Sequence, residues 1–465
     1  MSRFENDLTQ GNVARQLIKF SLPFLLSNLI QAMYSVADLY IVSLVCPTGS
    51  VVGVNVGGQV ALLVTNLAVG LALGGTIVLA QYAGAQKRKD MSETVSTLLT
   101  LLIGGAVVLT ALALILSGPM LRLLNTPDTA FAEAKRYLSI CMAGNIFVFG
   151  YNAISAILRA LGDSKRPLVF VTISCIVNVG LDLLLVCVFG MGAAGAALAT
   201  IASQAISMVL AIIYLNRSDF FFRFTLSNIR IFRDKLGKIF RMGLPAGVQS
   251  VFVNLSFLII TAMTNTFGES AAAGVAAIGK INSFCILPSI AIAQSVSPMA
   301  AQNIGAGLYN RAKKALWTGV AMNLAIGVVM FAVMQFFSPQ LTGLFANDAA
   351  TRTQVIEFGA LYARAMSFDY FFIPLMFCMN NFINGAGNAN VSLIANILSA
   401  LLLRVPAAYL LGMVMGMGLR GLGLAIPISS IGTIIYVGAY YLSGKWKNSK
   451  LGISRDENAP VLADE

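Results

Sequence analysis

Histidine is absent from this sequence. Imidazole-based proton relay, haem ligation and histidine-zinc chemistry are therefore excluded. Charge is scarce as well: Asp, Glu, Lys and Arg make up 11% of the chain, and the run from Leu39 to Gln86 contains none. The six cysteines (Cys46, Cys141, Cys175, Cys187, Cys285 and Cys378) sit in apolar surroundings without Cys-x-x-Cys spacing, the pattern of core thiols rather than of a redox or metal motif. What remains is oil. Hydrophobic residues are 57% of the chain and mean hydropathy is +0.81, more apolar surface than a water-soluble domain can bury.

About 20 apolar residues span the hydrocarbon core as a helix. Apolar runs fall near 13–45, 51–83, 92–116, 131–159, 166–189 and 192–215. A second set falls near 237–267, 271–303, 312–337, 351–384, 390–412 and 418–443. Their length and glycine-rich turns favour helices over the alternation of an outer-membrane barrel. The start, "MSRFENDLTQGNVARQ", reads as an amphipathic lead-in rather than a cleavable signal. About 23 of the 31 Lys and Arg residues fall on alternate connections, so the positive-inside rule places both termini in the cytoplasm. The net charge of +12 then reports topology; no nucleic-acid partner is expected.

The two sets repeat each other. "KFSLPFLL" around Pro23 returns as "RMGLPAGV" around Pro245, and "AQYAGAQ" around Gln81 as "AQNIGAG" around Gln302. "LRALGDS" returns as "INGAGNA", and "GMGAAGAALA" as "GMGLRGLGLA". The expected fold is all-α and polytopic, with twelve transmembrane helices. An even six spans per half predicts two bundles related by a pseudo-twofold axis along the membrane normal. The expected division is an N-lobe over 1–215, a cytoplasmic linker over 216–236, a C-lobe over 237–443 and a cytoplasmic tail over 444–465. Both "GMGAAG" and "GMGLRG" satisfy Gly-x-Gly-x-x-Gly, but they join membrane helices and lack the preceding strand of a dinucleotide site.

Within this oil lie Asp38, Asn178, Asp182 and Thr200. Asp182 and Thr200 stand eight residues to either side of an outer turn, and Asp38 eight before another. At 1.5 Å per residue each lies roughly 12 Å below the outer end of its helix, and Asn178 shares a face with Asp182. A membrane-embedded charge is costly, and two acids without a basic neighbour repel. Holding a proton or a small cation resolves both costs, and oxygen donors suit H⁺ or Na⁺. An intramembrane aspartyl protease is the enzymatic alternative, but Val179-Gly180-Leu181-Asp182 lacks the second glycine of Gly-x-Gly-Asp; a non-enzyme is expected, without cofactor.

"LIKFSLPFLLSNLIQAMYSVADLYIV", "VLAQYAGAQKR", "RALGDSKRP", "NVGLD" and "GAAGAALAT" together resemble the multidrug and toxic compound extrusion (MATE) family. The resemblance covers essentially residues 10–443. It implies a cation-coupled exporter, with Asp38, Asn178, Asp182 and Thr200 at the positions that bind the coupling ion, H⁺ or Na⁺. Ser35 stands where the pattern has asparagine.

The acid pair is not duplicated: the equivalent positions fall near Ile260 and Ala407. The second half instead carries Lys280, Asp369 and Arg404, expected as an ion-pair network first and as a substrate or second coupling site next. Met33, Tyr34, Phe147, Tyr151, Phe257, Phe284 and Phe371 are candidate lining residues of an apolar cleft for hydrophobic, often cationic drugs or metabolites. Pro23 and Pro245 are candidate hinges. The expected function is multidrug efflux by antiport with alternating access, in a monomer in the lipid bilayer. A flippase for lipid-linked precursors or polysaccharides is the alternative, marked by basic residues in its cleft.

Overall fold

The computed structural model describes residues 6–124, 126–218, 220–225, 228, 230–346, 350–449 and 451–453. Among them there is helix and turn but no strand, as expected where no water is at hand to satisfy an open sheet edge. The first six spans are α1 (Val13–Val45), α2 (Thr48–Gly84), α3 (Arg88–Leu123), the pair α4 (Asp128–Ala143) and α5 (Asn145–Ala160), α6 (Lys165–Asp182) and α7 (Gly192–Asn216). The next six are α8 (Arg233–Asn265), the pair α9 (Glu269–Cys285) and α10 (Leu287–Gly305), α11 (Tyr309–Gly343), the pair α12 (Arg352–Met366) and α13 (Ile373–Gly385), α14 (Ala389–Ile397) with α15 (Val405–Ala408), and α16 (Gly418–Leu442).

Nine spans among the described residues are long and apolar enough to cross a bilayer unbroken. Two bent pairs raise the number to eleven: α4 with α5 at 49° and α9 with α10 at 43°. The twelfth expected span, α12 with α13, is interrupted by a 3-10 turn at Ser367–Phe371 and carries Arg352, Glu357, Arg364 and Asp369.

The repeat survives into backbone detail. A π-helical turn, Leu183–Val188, ends the fifth span, and another, Tyr409–Val414, ends the eleventh. Each leads into a turn with two left-handed glycines, Gly190 (φ 62°) and Gly192 (φ 57°), then Gly416 (φ 66°) and Gly418 (φ 58°). Only glycine adopts that conformation without strain. The Gly-x-Gly pattern is thus explained by a tight helix-to-helix turn, with no call for a phosphate.

Two compact units divide the chain. Of the described residues, one holds Leu26–Gly247 with those before Leu8; the other holds Leu8–Leu25 and those from Val248 on. The expected boundaries differ here, because the leading halves of α1 and α8 each pack with the opposite unit from their trailing halves. In the first unit, α2 and α8 approach at glycines four residues apart. A Cβ on Gly70 would lie 2.8 Å from the nitrogen of Gly247, and one on Gly74 would lie 2.6 Å from the nitrogen of Gly243. Such small-residue contacts let backbones touch where lipid offers no hydrophobic drive.

The segment expected as a linker is fastened to the same unit. Ser96 Oγ accepts from the Arg230 amide at 2.8 Å and donates to the Asn228 carbonyl at 2.6 Å, and Thr97 Oγ1 accepts from the Phe232 amide at 3.1 Å. Just beyond, buried Lys235 pairs with Asp90, with Asp234 at 3.1 Å and with Glu93 at 3.6 Å.

In the second unit the start of the expected tail is docked rather than loose. Trp446 is 1% exposed and packs on Phe382 at 4.9 Å and Tyr441 at 5.9 Å between ring centroids. An aromatic plug of this size buries enough apolar surface to hold the chain down. Lys450 and residues 454–465 lie outside the described residues.

Candidate functional site

The acids of the first unit are placed by three helices. Asp38 lies on α1, Asp182 is the last residue of α6 before the π-helical turn, and Thr200 lies on α7, which packs along α6. A π-helical turn displaces the carbonyls that follow from their i→i−4 partners, a local cost commonly found at functional positions. Asp38 is 8% exposed and Asp182 fully buried. The two carboxyl groups are near enough to interact electrostatically.

Neither carboxylate enters an ion pair with a described basic residue. Asp38 Oδ1, both oxygens of Asp182, both polar atoms of the Asn178 amide and Thr200 Oγ1 all lack a hydrogen-bond partner among the described residues. Orphaned buried polar atoms are normally rare, because each costs about 1–3 kcal/mol of desolvation. Four residues, spread over three helices, share this deficit of oxygen donors that no described protein group completes. This set fits a proton or a monovalent hard cation.

A cavity of about 610 Å³ opens beside them, with Asp38 and Thr200 in its wall. Gln204 and Asn145 also line it, and Gln204 Oε1 and Asn145 Nδ2 are likewise unpartnered. Sequence reasoning missed both. Gln204 had a readable signal, one helical turn after Thr200 and so on the same face; Asn145 had none, since it sits at the bend between α4 and α5. Ser35 lines the cavity while its hydroxyl donates to the Gln31 carbonyl at 3.0 Å.

The candidate cleft residues scatter. Tyr34 and Tyr151 line the first unit's cavity, and the Tyr151 hydroxyl donates to the Pro167 carbonyl at 3.1 Å. Phe257 lines a separate cavity in the second unit. Met33, Phe284 and Phe371 are exposed, Phe371 against Phe331 with centroids 4.6 Å apart, and Phe147 is half-buried outside both linings.

The basic and acidic residues of the second half do not gather as one network. Asp369 and Arg404 are buried in the wall of the second cavity. Lys280 is exposed, with its ammonium 5.7 Å from the Phe345 ring centroid. Helix α9 carries it on a face turned away from that cavity's wall, where its neighbour Asn282 sits.

A duplicated six-span membrane unit is the architecture of a secondary transporter. The MatE family model matches residues 23–184 and again 245–410, and the chain belongs to the MatE family, the multidrug and toxic compound extrusion transporters. The probable multidrug resistance protein YpnP of Bacillus subtilis is 32% identical over 96% of this chain and 98% of its own length. The FAD transporter of Shewanella oneidensis is 26% identical over 94% and 95%. A crystal structure of a MATE protein in complex with MaL6 superposes with a TM-score of 0.86 at 23% identity, covering 96% of this chain and 98% of that one; this likeness shows the fold.

Proposed function

We propose that the chain is a cation-coupled exporter of hydrophobic, often cationic small molecules, working by alternating access in the bacterial inner membrane with both termini in the cytoplasm. One observation carries the reading: two buried, interacting carboxylates that, like Asn178 and Thr200, leave polar atoms without a partner among the described residues. Such a pair is tolerable in a bilayer when a positive charge visits it. H⁺ or Na⁺ is that charge. It binds at Asp38, Asp182, Asn178 and Thr200 and drives transport by binding the two access states unequally.

The wall of the neighbouring cavity contains no Lys or Arg among its described residues. That lining suits an apolar or cationic cargo and disfavours the pyrophosphate of a lipid-linked precursor. Pro23 and Pro245 each stand two residues before the chain passes from one compact unit to the other. Proline removes one backbone hydrogen bond from a helix interior, which makes these the bend points of the cycle. The test is efflux of a fluorescent cationic dye from proteoliposomes, with pH and Na⁺ gradients imposed separately. Acceleration by one gradient names the ion; indifference to both refutes the coupling.

A further inference from the structure

The second unit holds a cavity of about 290 Å³ whose wall combines one acid and one base, Asp369 and Arg404. Both are more than nine-tenths buried, at 6% and 7% exposed. Arg404 is the last residue of a π-helical turn, Leu398–Arg404, and Asp369 lies on the 3-10 turn of the interrupted span. Neither sits on a regular helix, so both side chains are aimed by local backbone geometry that the apolar pattern does not require.

The guanidinium is held in place without being neutralised. Its Nε donates to Ser429 Oγ at 3.0 Å and its Nη1 to Ser256 Oγ at 2.9 Å. Its central carbon Cζ lies over Phe257, 4.5 Å from the ring centroid. Two hydroxyls and a ring fix an orientation but bring no negative charge. Asp369 and Arg404 feel each other's field, yet no ion pair joins them among the described residues. Asp369 Oδ1 has no hydrogen-bond partner among the described residues. An anion and a cation therefore open on one cavity without closing on each other.

A ligand entering this space meets opposite demands at two points. A simple cation on Asp369 would be repelled by Arg404, and a simple anion on Arg404 by Asp369; either leaves one buried charge uncompensated. A molecule carrying both charges satisfies both groups. We propose that this cavity is a subsite for zwitterionic compounds, with an ammonium on Asp369, a carboxylate on Arg404 and an apolar body against Phe257. The transport reading enters only in making such a ligand cargo.

The experiment measures equilibrium binding to the purified full chain at neutral pH, without any ion gradient, so its failure and the failure of gradient-driven efflux are separate results. Three fluorescent probes share one body: Nε-dansyl-lysine (zwitterion), its methyl ester (cation) and its Nα-acetyl derivative (anion). The zwitterion is expected to bind at least about tenfold more tightly than either, since each charge pair is worth upwards of one decade. Arg404→Gln should bring the ester level with the zwitterion, and Asp369→Asn should do the same for the acetyl derivative. Ser256→Ala, which leaves all charges in place, should weaken the zwitterion and spare the ester; it serves if the charge variants fail to fold. Ester binding as tight as zwitterion in the wild type overturns the proposal. So does an unchanged preference in folded Arg404→Gln, or no saturable binding of any probe up to about 1 mM.

Discussion

Asp182→Asn changes one oxygen for one nitrogen at a fully buried position and removes one of two interacting carboxylates. A monovalent cation about 4 Å from a carboxylate gains about 4 kcal/mol at an effective dielectric constant of 20. Desolvation of the ion offsets part of this; retaining half, about 2 kcal/mol, still corresponds to roughly 30-fold in cation affinity. Stability should move the other way, because the variant removes a buried charge and a like-charge repulsion together. Gradient-driven dye efflux in proteoliposomes, measured at cation concentrations below saturation, should therefore fall by about 30-fold or more. The Tm of the purified protein should be no lower than that of the wild type. Wild-type efflux in the variant would refute the ion assignment. Lost efflux together with a collapse in Tm would show instead that Asp182 holds the fold.

Asp38→Asn should have the same sign, and the double variant should add little to either single one, since two groups that share one ion act as a unit; efflux in all three variants checks this. Gly74→Ala should lower Tm sharply, because its new Cβ meets the Gly243 backbone at 2.6 Å, whereas Gly104→Ala, with nothing within 4 Å, should be silent. Lys235→Met takes the basic partner from Asp90 and Glu93, while Asp234 keeps Lys238 at 3.1 Å. Asp90 and Asp234 are partly solvated, at 32% and 62% side-chain exposure, so the cost should be about 1–2 kcal/mol rather than that of a fully buried pair, read as a lower Tm. Trp446→Ala should cost about 3 kcal/mol or more by emptying the plug against Phe382, seen as a lower Tm and earlier proteolysis of the C-terminal end.

Much of the fold could be read along the chain because the forces that set it are local in sequence. Hydropathy over about 20 residues decides what crosses a bilayer, and the repeated proline and glycine motifs mark the same joints twice. Helical periodicity puts Asn178 and Asp182 on one face, and both are buried in the structure. The split of Lys280 from Asp369 and Arg404 was not legible. Spacing places three charges at membrane depth but leaves open which face each helix turns toward its neighbours, and α9 turns Lys280 outward.

By itself, then, the sequence determined the solvent, the number of spans, the duplication and the presence of buried acids, all properties of windows no longer than a helix. Tertiary structure alone decided which polar atoms meet and which stay unpartnered. It also decided that the leading halves of α1 and α8 change units, that the residues after the last span dock through Trp446, and that an acid and a base share a cavity without pairing. Those outcomes depend on how side-chain surfaces far apart in the chain fit together, and hydrocarbon patterning is blind to that fit.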